Sequence, residues 1–466
     1  MSVNDLSPDP GSFRDPSGHV YEVDGRIYRT VTARHSADYR ALKSSGFFQR
    51  LVAEGRLVGA EERPLETLGI SKPGVEHVVE HPKLPFISYP YEWPFSALKA
   101  AALFHLDLHI DALEQGATLS DASAYNVQFR GVVPIFIDLL SFRRYREGEY
   151  WTGHRQFCEQ FLNPLLLRSF LGIPHNAWYR GALEGISTAD ILPLLPLRRK
   201  LSWKVLSNLV LQERLQRASR RWTADRLKAA AQRRLPKASF VGMLRQLRHW
   251  IDRLSPLESR GTVWGDYSET HTYQSAEYAA KLEFVARFIE KTKPNLVFDL
   301  GCNTGDFSAI ALEAGARNVI GFDFDQEALE RSFRRSLDHK LNLTPLFLDA
   351  ANPSPDQGWR QRERRGLQSR AMPDAVLALA FEHHLALGRN IPLSDVVAWI
   401  VGMAPKGVIE FVEKTDPTVQ RMLSLREDIF DDYTEATFTG ALERCARIVE
   451  VQTVSAAGRK LFWYER

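Results

Sequence analysis

Val297-Phe298-Asp299-Leu300-Gly301-Cys302-Asn303-Thr304-Gly305-Asp306-Phe307-Ser308 is the stretch whose reading decides the fold. An apolar run closing on an acid meets a Gly/Asn turn, and the helical pattern Phe307-Ser308-Ala309-Ile310-Ala311-Leu312 follows at once. Strand, glycine turn and helix in succession leave bare backbone that a nucleotide-like ligand can approach. A side chain at Gly301 or Gly305 would block that approach, and such turns call for positive φ. Asn303 stands where a further glycine is common, and Asn is the larger residue that best tolerates the left-handed region.

Outward from this turn, residues 261–466 alternate strand and helix signals, which predicts a mostly parallel sheet covered by helices on both faces. Strands are expected at 296–300, 318–323, 344–349, 374–380 and 406–412. A closing hairpin of 448–454 and 460–464 flanks Ala456-Ala457-Gly458-Arg459. The fourth strand runs into Phe381-Glu382-His383-His384-Leu385. In an open α/β sheet the carboxyl ends of the strands carry the chemistry, so a base is sought there, and imidazole titrates near neutrality.

At Asp299-Leu300-Gly301-Cys302-Asn303-Thr304-Gly305 the half resembles a class I S-adenosylmethionine-dependent methyltransferase with a Rossmann-like sheet and a terminal antiparallel hairpin. The resemblance implies that Asp299, Gly301, Cys302, Asn303 and Gly305 cradle the methionine part of the cofactor. It implies that Asp323, with Phe324 beside it, meets the ribose, that Asp349 and Ala350 meet the adenine, and that Ala380 also belongs to the cofactor-binding set. His383 is the candidate base, with His384 and Glu382 as competitors. Glu410, Glu413 and Lys414 are expected to line the acceptor pocket, and Tyr267, Tyr273 and Lys281 the rim. An NAD-dependent oxidoreductase shares the glycine turn and the acidic residue, but the absent G-x-G-x-x-G and the terminal hairpin speak against it. The absence of an Asn/Asp-Pro-Pro-Tyr motif argues against methylation of base amino groups.

The first half is organised differently. Alternating β-formers flank Asp24-Gly25, a hairpin signal, and helical patterns follow at 37–57 and 95–115. The proline-rich run 84–94 reads as a strand leading into an extended connector. Then come Asp121-Ala122-Ser123-Ala124-Tyr125-Asn126, a hairpin, and Asp138 closing the strand Val133-Pro134-Ile135-Phe136-Ile137. This resembles the catalytic loop and metal-binding strand of protein kinases and aminoglycoside-type phosphotransferases. The resemblance implies an α+β kinase-like domain with Asp121 as base, Asn126 and Asp138 as magnesium ligands, and Mg-ATP as cofactor. No glycine-rich loop precedes it, Arg29 stands at the phosphate-pairing lysine, and Leu139-Leu140 follows Asp138, so a pseudo-kinase is the companion expectation.

At 466 residues the chain exceeds one ordinary core. We divide it into residues 1–197, kinase-like; 198–260, a helical basic linker; and 261–466, methyltransferase. Residues 198–260 hold 17 Lys/Arg against 4 Asp/Glu, although the whole chain is only +3. Amphipathic connecting helices account for that charge, without an aromatic platform or zinc motif to favour nucleic acid. Contact with nucleic acid or with an anionic membrane is the sharper alternative. Three distant cysteines form no disulfide framework, the opening residues lack a signal-peptide pattern, and no apolar run spans a bilayer. A cytoplasmic protein acting on a methyl-acceptor substrate is the expectation. A bifunctional or regulatory protein whose first half binds a nucleotide or the substrate is the other. The chain as a whole resembles bacterial two-part methyltransferases, some of them nodulation-related.

Overall fold

The computed structural model describes residues 7–69, 74–214, 234–257, 275–370, 372–424 and 427–466, and the architecture is mixed α/β. In the first half, β1 (Val20–Val23) and β2 (Arg26–Thr32) form the expected hairpin. Asp24 and Gly25 at its tip have φ of 48° and 74°, the positive pair that lets a two-residue turn follow the twist of the strands. β3 (Glu61–Arg63) and β4 (Val75–His81) extend the sheet to the order β1-β2-β4-β3. The single helix expected over 37–57 is two, α1 (Ala33–Ser44) and α2 (Phe47–Ala53), because Gly46 takes φ 78° and ends the first.

The connector also departs from expectation. Residues 84–94 form no strand; a short 3-10 turn, Pro90–Glu92, is fixed by the Glu92 carboxylate accepting from the Tyr89 amide at 2.8 Å. α3 (Phe95–Glu114) follows and is buried on most of its surface, as its mostly apolar sequence requires. β5 (Ala117–Leu119) pairs with β8 (Phe142–Arg144), and between them β6 (Val127–Arg130) and β7 (Val133–Phe136) make a hairpin. The basic helix Lys237–Asp252 lies against α3. It buries Phe240, Leu244, Leu247 and Ile251, and Arg248 makes two bonds to Asp107, at 2.6 and 3.1 Å.

The second half contains β9 (Leu296–Leu300), β10 (Asn318–Asp323), β11 (Leu343–Phe347), β12 (Ala375–Ala378), β13 (Lys406–Phe411), β14 (Arg447–Thr453) and β15 (Lys460–Glu465). Their order is β11-β10-β9-β12-β13-β15-β14. The first five run parallel, and β15 enters antiparallel between β13 and β14. Side chains alternate across the sheet. Val297, Val319, Ala375, Leu377 and Val408 face one core with helix Ser275–Thr292, while Phe298, Ile320, Phe322 and Leu346 face the other.

That second core continues into the first half. Phe86 of the connector meets Phe298 and Phe322 edge-on, with ring centroids 5.6 and 6.1 Å away. Arg370, buried between β11 and β12, makes two bonds to Glu92, 2.7 and 2.5 Å long, and its guanidinium lies over the rings of Phe86 and Tyr89.

Candidate active site

The glycine turn opens at the carboxyl end of β9. Gly301, Asn303 and Gly305 have φ of 75°, 49° and 83°, so all three occupy the left-handed region that the residue types anticipate. Gly301 is also tight, since a Cβ there would come within 3.1 Å of the Phe381 ring. The amides of Gly301 and Cys302 both donate to the Phe322 carbonyl, which bends the loop over the end of β10. Asp299 is buried and accepts from Ser308 Oγ at 2.5 Å, joining the strand to the helix Asp306–Glu313. Burial pushes its carboxyl up to about 7, against the Ser308 bond. Cys302 is buried beneath Gly321, and burial pushes its thiol up.

Asp323 ends β10 with each carboxylate oxygen held by one backbone amide: Oδ2 by Asn303 and Oδ1 by Asp325, both at 2.8 Å. Burial raises it to about 6, although those amides favour the charged form. Asp325 caps the helix Gln326–Asp338 by accepting from Glu327 and Ala328. Phe324 is exposed, lies 5.5 Å from the Phe347 ring, and has the Arg389 guanidinium 6.0 Å from its centroid. Asp349 is 3.9 Å from Arg389, and Ala350 opens onto a cleft of about 560 Å³ shared with Leu385, Ile391 and Trp399. Asp299, Gly301, Cys302, Asn303, Gly305, Asp323 and Phe324 thus gather at the ends of β9 and β10, with Asp349 and Ala350 following β11.

At the ends of β12 and β13 two buried carboxylates stitch the strands reciprocally. Glu410 of β13 accepts the Ala380 amide at 2.9 Å, and Glu382 beyond β12 accepts the Val412 amide at 3.1 Å. The first bond holds Ala380 at φ 49°, a conformation that costs a non-glycine residue about 1–2 kcal/mol. Glu410 also pairs with Lys281 at 2.5 Å and Arg459 at 3.4 Å, and Arg459 makes two bonds to Asp416, at 2.7 and 3.0 Å. Burial pushes the Glu410 carboxyl up, but the Lys281 and Arg459 charges outweigh it and hold it below its ordinary range.

Glu382 also accepts from Tyr433 Oη at 2.8 Å and from both the amide and Nδ1 of His383, the latter at 2.9 Å. It therefore stands behind His383. His384 stacks on His383 with centroids 4.1 Å apart, and burial, with the charges of His383 and Arg459, lowers it to about 3. Lys281 is buried in an ion pair, Lys414 binds Asp428, and Tyr267 and Tyr273 lie outside the described residues. Tyr433 and Arg459 were not singled out from sequence. Each reaches the site from a distant turn, with no local motif to mark it.

In the first half, Asp121, Asn126 and Asp138 also come together. Asn126 Nδ2 donates to Asp121 at 3.2 Å and to Ser141 Oγ at 3.1 Å, while Ser141 donates to Asp138 at 2.9 Å. Burial, with the Asp138 charge, raises Asp121 to about 6. Arg29 bridges Asp138, at 3.1 Å, and Asp15. Among the described residues no cluster of three His, Cys, Asp or Glu has the geometry to hold a metal ion.

No protein-family model matches the chain. The nodulation protein NoeA of Rhizobium meliloti (strain 1021) is 49% identical over 456 residues, spanning 98% of this chain and 95% of that protein. The chain belongs to the NoeA family. Solved structures match part of the chain at low identity. The PH0226 protein of Pyrococcus horikoshii OT3 is 16% identical, covering 43% of this chain and 98% of its own, with a TM-score of 0.31. The N-methyltransferase NodS of Bradyrhizobium japonicum WM9 is 14% identical over 41% of this chain and 97% of its own, TM-score 0.30. Magnesium protoporphyrin IX methyltransferase of Synechocystis PCC 6803, with bound SAH, is 17% identical over 48% and 94%, TM-score 0.31. Scores this low leave the strand order and local geometry of this NoeA-family chain as the grounds for its chemistry.

Proposed function

We propose that the second half transfers a methyl group from S-adenosylmethionine to an acceptor. The observation that carries this reading is Asp323, its two oxygens aligned by the Asn303 and Asp325 amides below the glycine turn, in a sheet whose last strand enters antiparallel beside β13. A dinucleotide-binding sheet continues parallel at that edge, which disfavours the oxidoreductase alternative.

The residues present fit the cofactor. Three positive-φ positions leave the 301–305 backbone open to its methionine part. Asp323 retains lone pairs for a diol, and exposed Phe324 offers a face to a purine. Bound there, S-adenosylmethionine supplies a sulfonium methyl group open to in-line attack. The chain's own task is to orient the acceptor and remove its proton. We assign that proton to His383 Nε2. The Glu382 carboxylate takes Nδ1–H and so fixes the tautomer, while Tyr433 and the Val412 amide hold Glu382.

His383→Gln is expected to lower turnover by about 100-fold or more while leaving cofactor affinity within about twofold. Label transfer from methyl-tritiated cofactor to a metabolite fraction, run beside a cofactor-binding assay, measures both. Unchanged turnover would remove His383 from the mechanism.

A further inference from the structure

Residues 194–204, Leu-Leu-Pro-Leu-Arg-Arg-Lys-Leu-Ser-Trp-Lys, contain no acidic residue, and the first one downstream is Glu213. The fold turns this stretch outward. Leu194, Leu197, Leu201 and Trp203 are 48%, 71%, 64% and 79% exposed, four large apolar side chains within ten positions. Isolated exposed leucines are ordinary, but this density beside a tryptophan is not. Buried Leu195 anchors one end of the stretch, and buried Val205 and Leu209 anchor the other, so the apolar display is held on the folded body.

Cations lie between the apolar positions. Arg199 stacks 4.4 Å over the Phe170 ring, and Lys200 donates to the Pro193 carbonyl at 3.1 Å, so these two brace the turn. Among the described residues Arg198 and Lys204 have no acidic partner. Both are exposed and flank the apolar tips.

We propose that residues 194–204 dock the protein on an anionic lipid surface, with Leu197, Leu201 and Trp203 entering the headgroup boundary and Arg198 and Lys204 meeting lipid phosphates. The pattern matches what such a surface offers. Apolar tips gain by leaving water, tryptophan suits the headgroup level, and cations meet fixed negative charge. A nucleic-acid backbone would satisfy the cations and leave the leucines and Trp203 in water. Among the described residues no helix is long and apolar enough to cross a membrane, so the contact is peripheral.

The test is co-sedimentation of the full chain with phosphatidylcholine vesicles containing phosphatidylglycerol, against phosphatidylcholine alone. The expected result is binding to the anionic vesicles that added salt weakens. The variants Leu197→Ser/Leu201→Ser/Trp203→Ala and Arg198→Glu/Lys204→Glu should each lower partitioning by about tenfold or more. Both change exposed side chains, so their thermal unfolding should match the parent. Equal binding to the two vesicle types, full binding by either variant, or displacement from vesicles by duplex DNA would overturn the proposal.

Discussion

Asp323 illustrates what a single residue contributes. Its acidity was legible because it ends a strand 18 positions after Gly305; its alignment was not, because the Asn303 amide reaches it only once the loop has folded. With burial holding its carboxyl at about 6 in the free protein, two donating hydroxyls would favour the charged form and lower that value. Cofactor binding near pH 6 should therefore release a fraction of a proton, and affinity should fall as the pH drops below 6. Calorimetry in two buffers of different ionisation enthalpy reads the proton directly. No release together with a flat affinity would contradict the assignment. Glu382, His383 and His384 were likewise legible as a cluster headed by His383, but what holds them in place was not. Their placement depends on Tyr433 and Val412 arriving from elsewhere to bury Glu382.

Elements were legible where the pattern was long and apolar. β9 and β10 match their expected bounds, and β12 is shorter because Ala380 turns out of the strand at φ 49° to donate its amide to Glu410. β3 and β4 escaped notice because Glu61-Glu62-Arg63 and Val75-Glu76-His77-Val78-Val79-Glu80-His81 are rich in charged and polar residues and are made strands by pairing with β2 and each other. α3 was expected, but its interior carries an anomaly. His105 is fully buried among Phe136, Phe157 and Phe161, with neither ring nitrogen partnered, and burial lowers it to about 3. Leu, close in volume, should stabilise the protein there by about 1–2 kcal/mol at neutral pH, by removing an unsatisfied polar group. The sign with pH follows from the lowered value. Above about 6.5 the ring is neutral in both states and its titration leaves stability unchanged; as the pH falls from there toward 3 only the unfolded chain takes up the proton, and the parent loses stability. The gap between His105→Leu and the parent should widen between pH 7 and 5, as read by urea midpoints. A constant gap would show that the ring is solvated.

At the level of the molecule the two halves are one packed body. The first-half connector inserts Phe86 against the sheet, and Arg370 from the β11–β12 crossover is sealed between Phe86, Tyr89 and Glu92. Sequence suggested a linker because charge dominates residues 198–260; the Lys237–Asp252 helix nevertheless buries an apolar stripe on α3, with its arginines directed to Asp107 and Glu114. Arg370→Ala would leave Glu92 buried without its partner and should cost about 3–5 kcal/mol in denaturant unfolding. A loss below about 1 kcal/mol would mean that water already reaches this pair. The central claim concerns the glycine turn and Asp323 at the ends of β9 and β10, and titration of the full chain with S-adenosylmethionine in a calorimeter tests it most directly. The account predicts one saturable site, weakened by about tenfold or more in Asp323→Ala, whose carboxylate would accept the ribose hydroxyls. An absence of binding in the parent, or equal binding by Asp323→Ala, would contradict it.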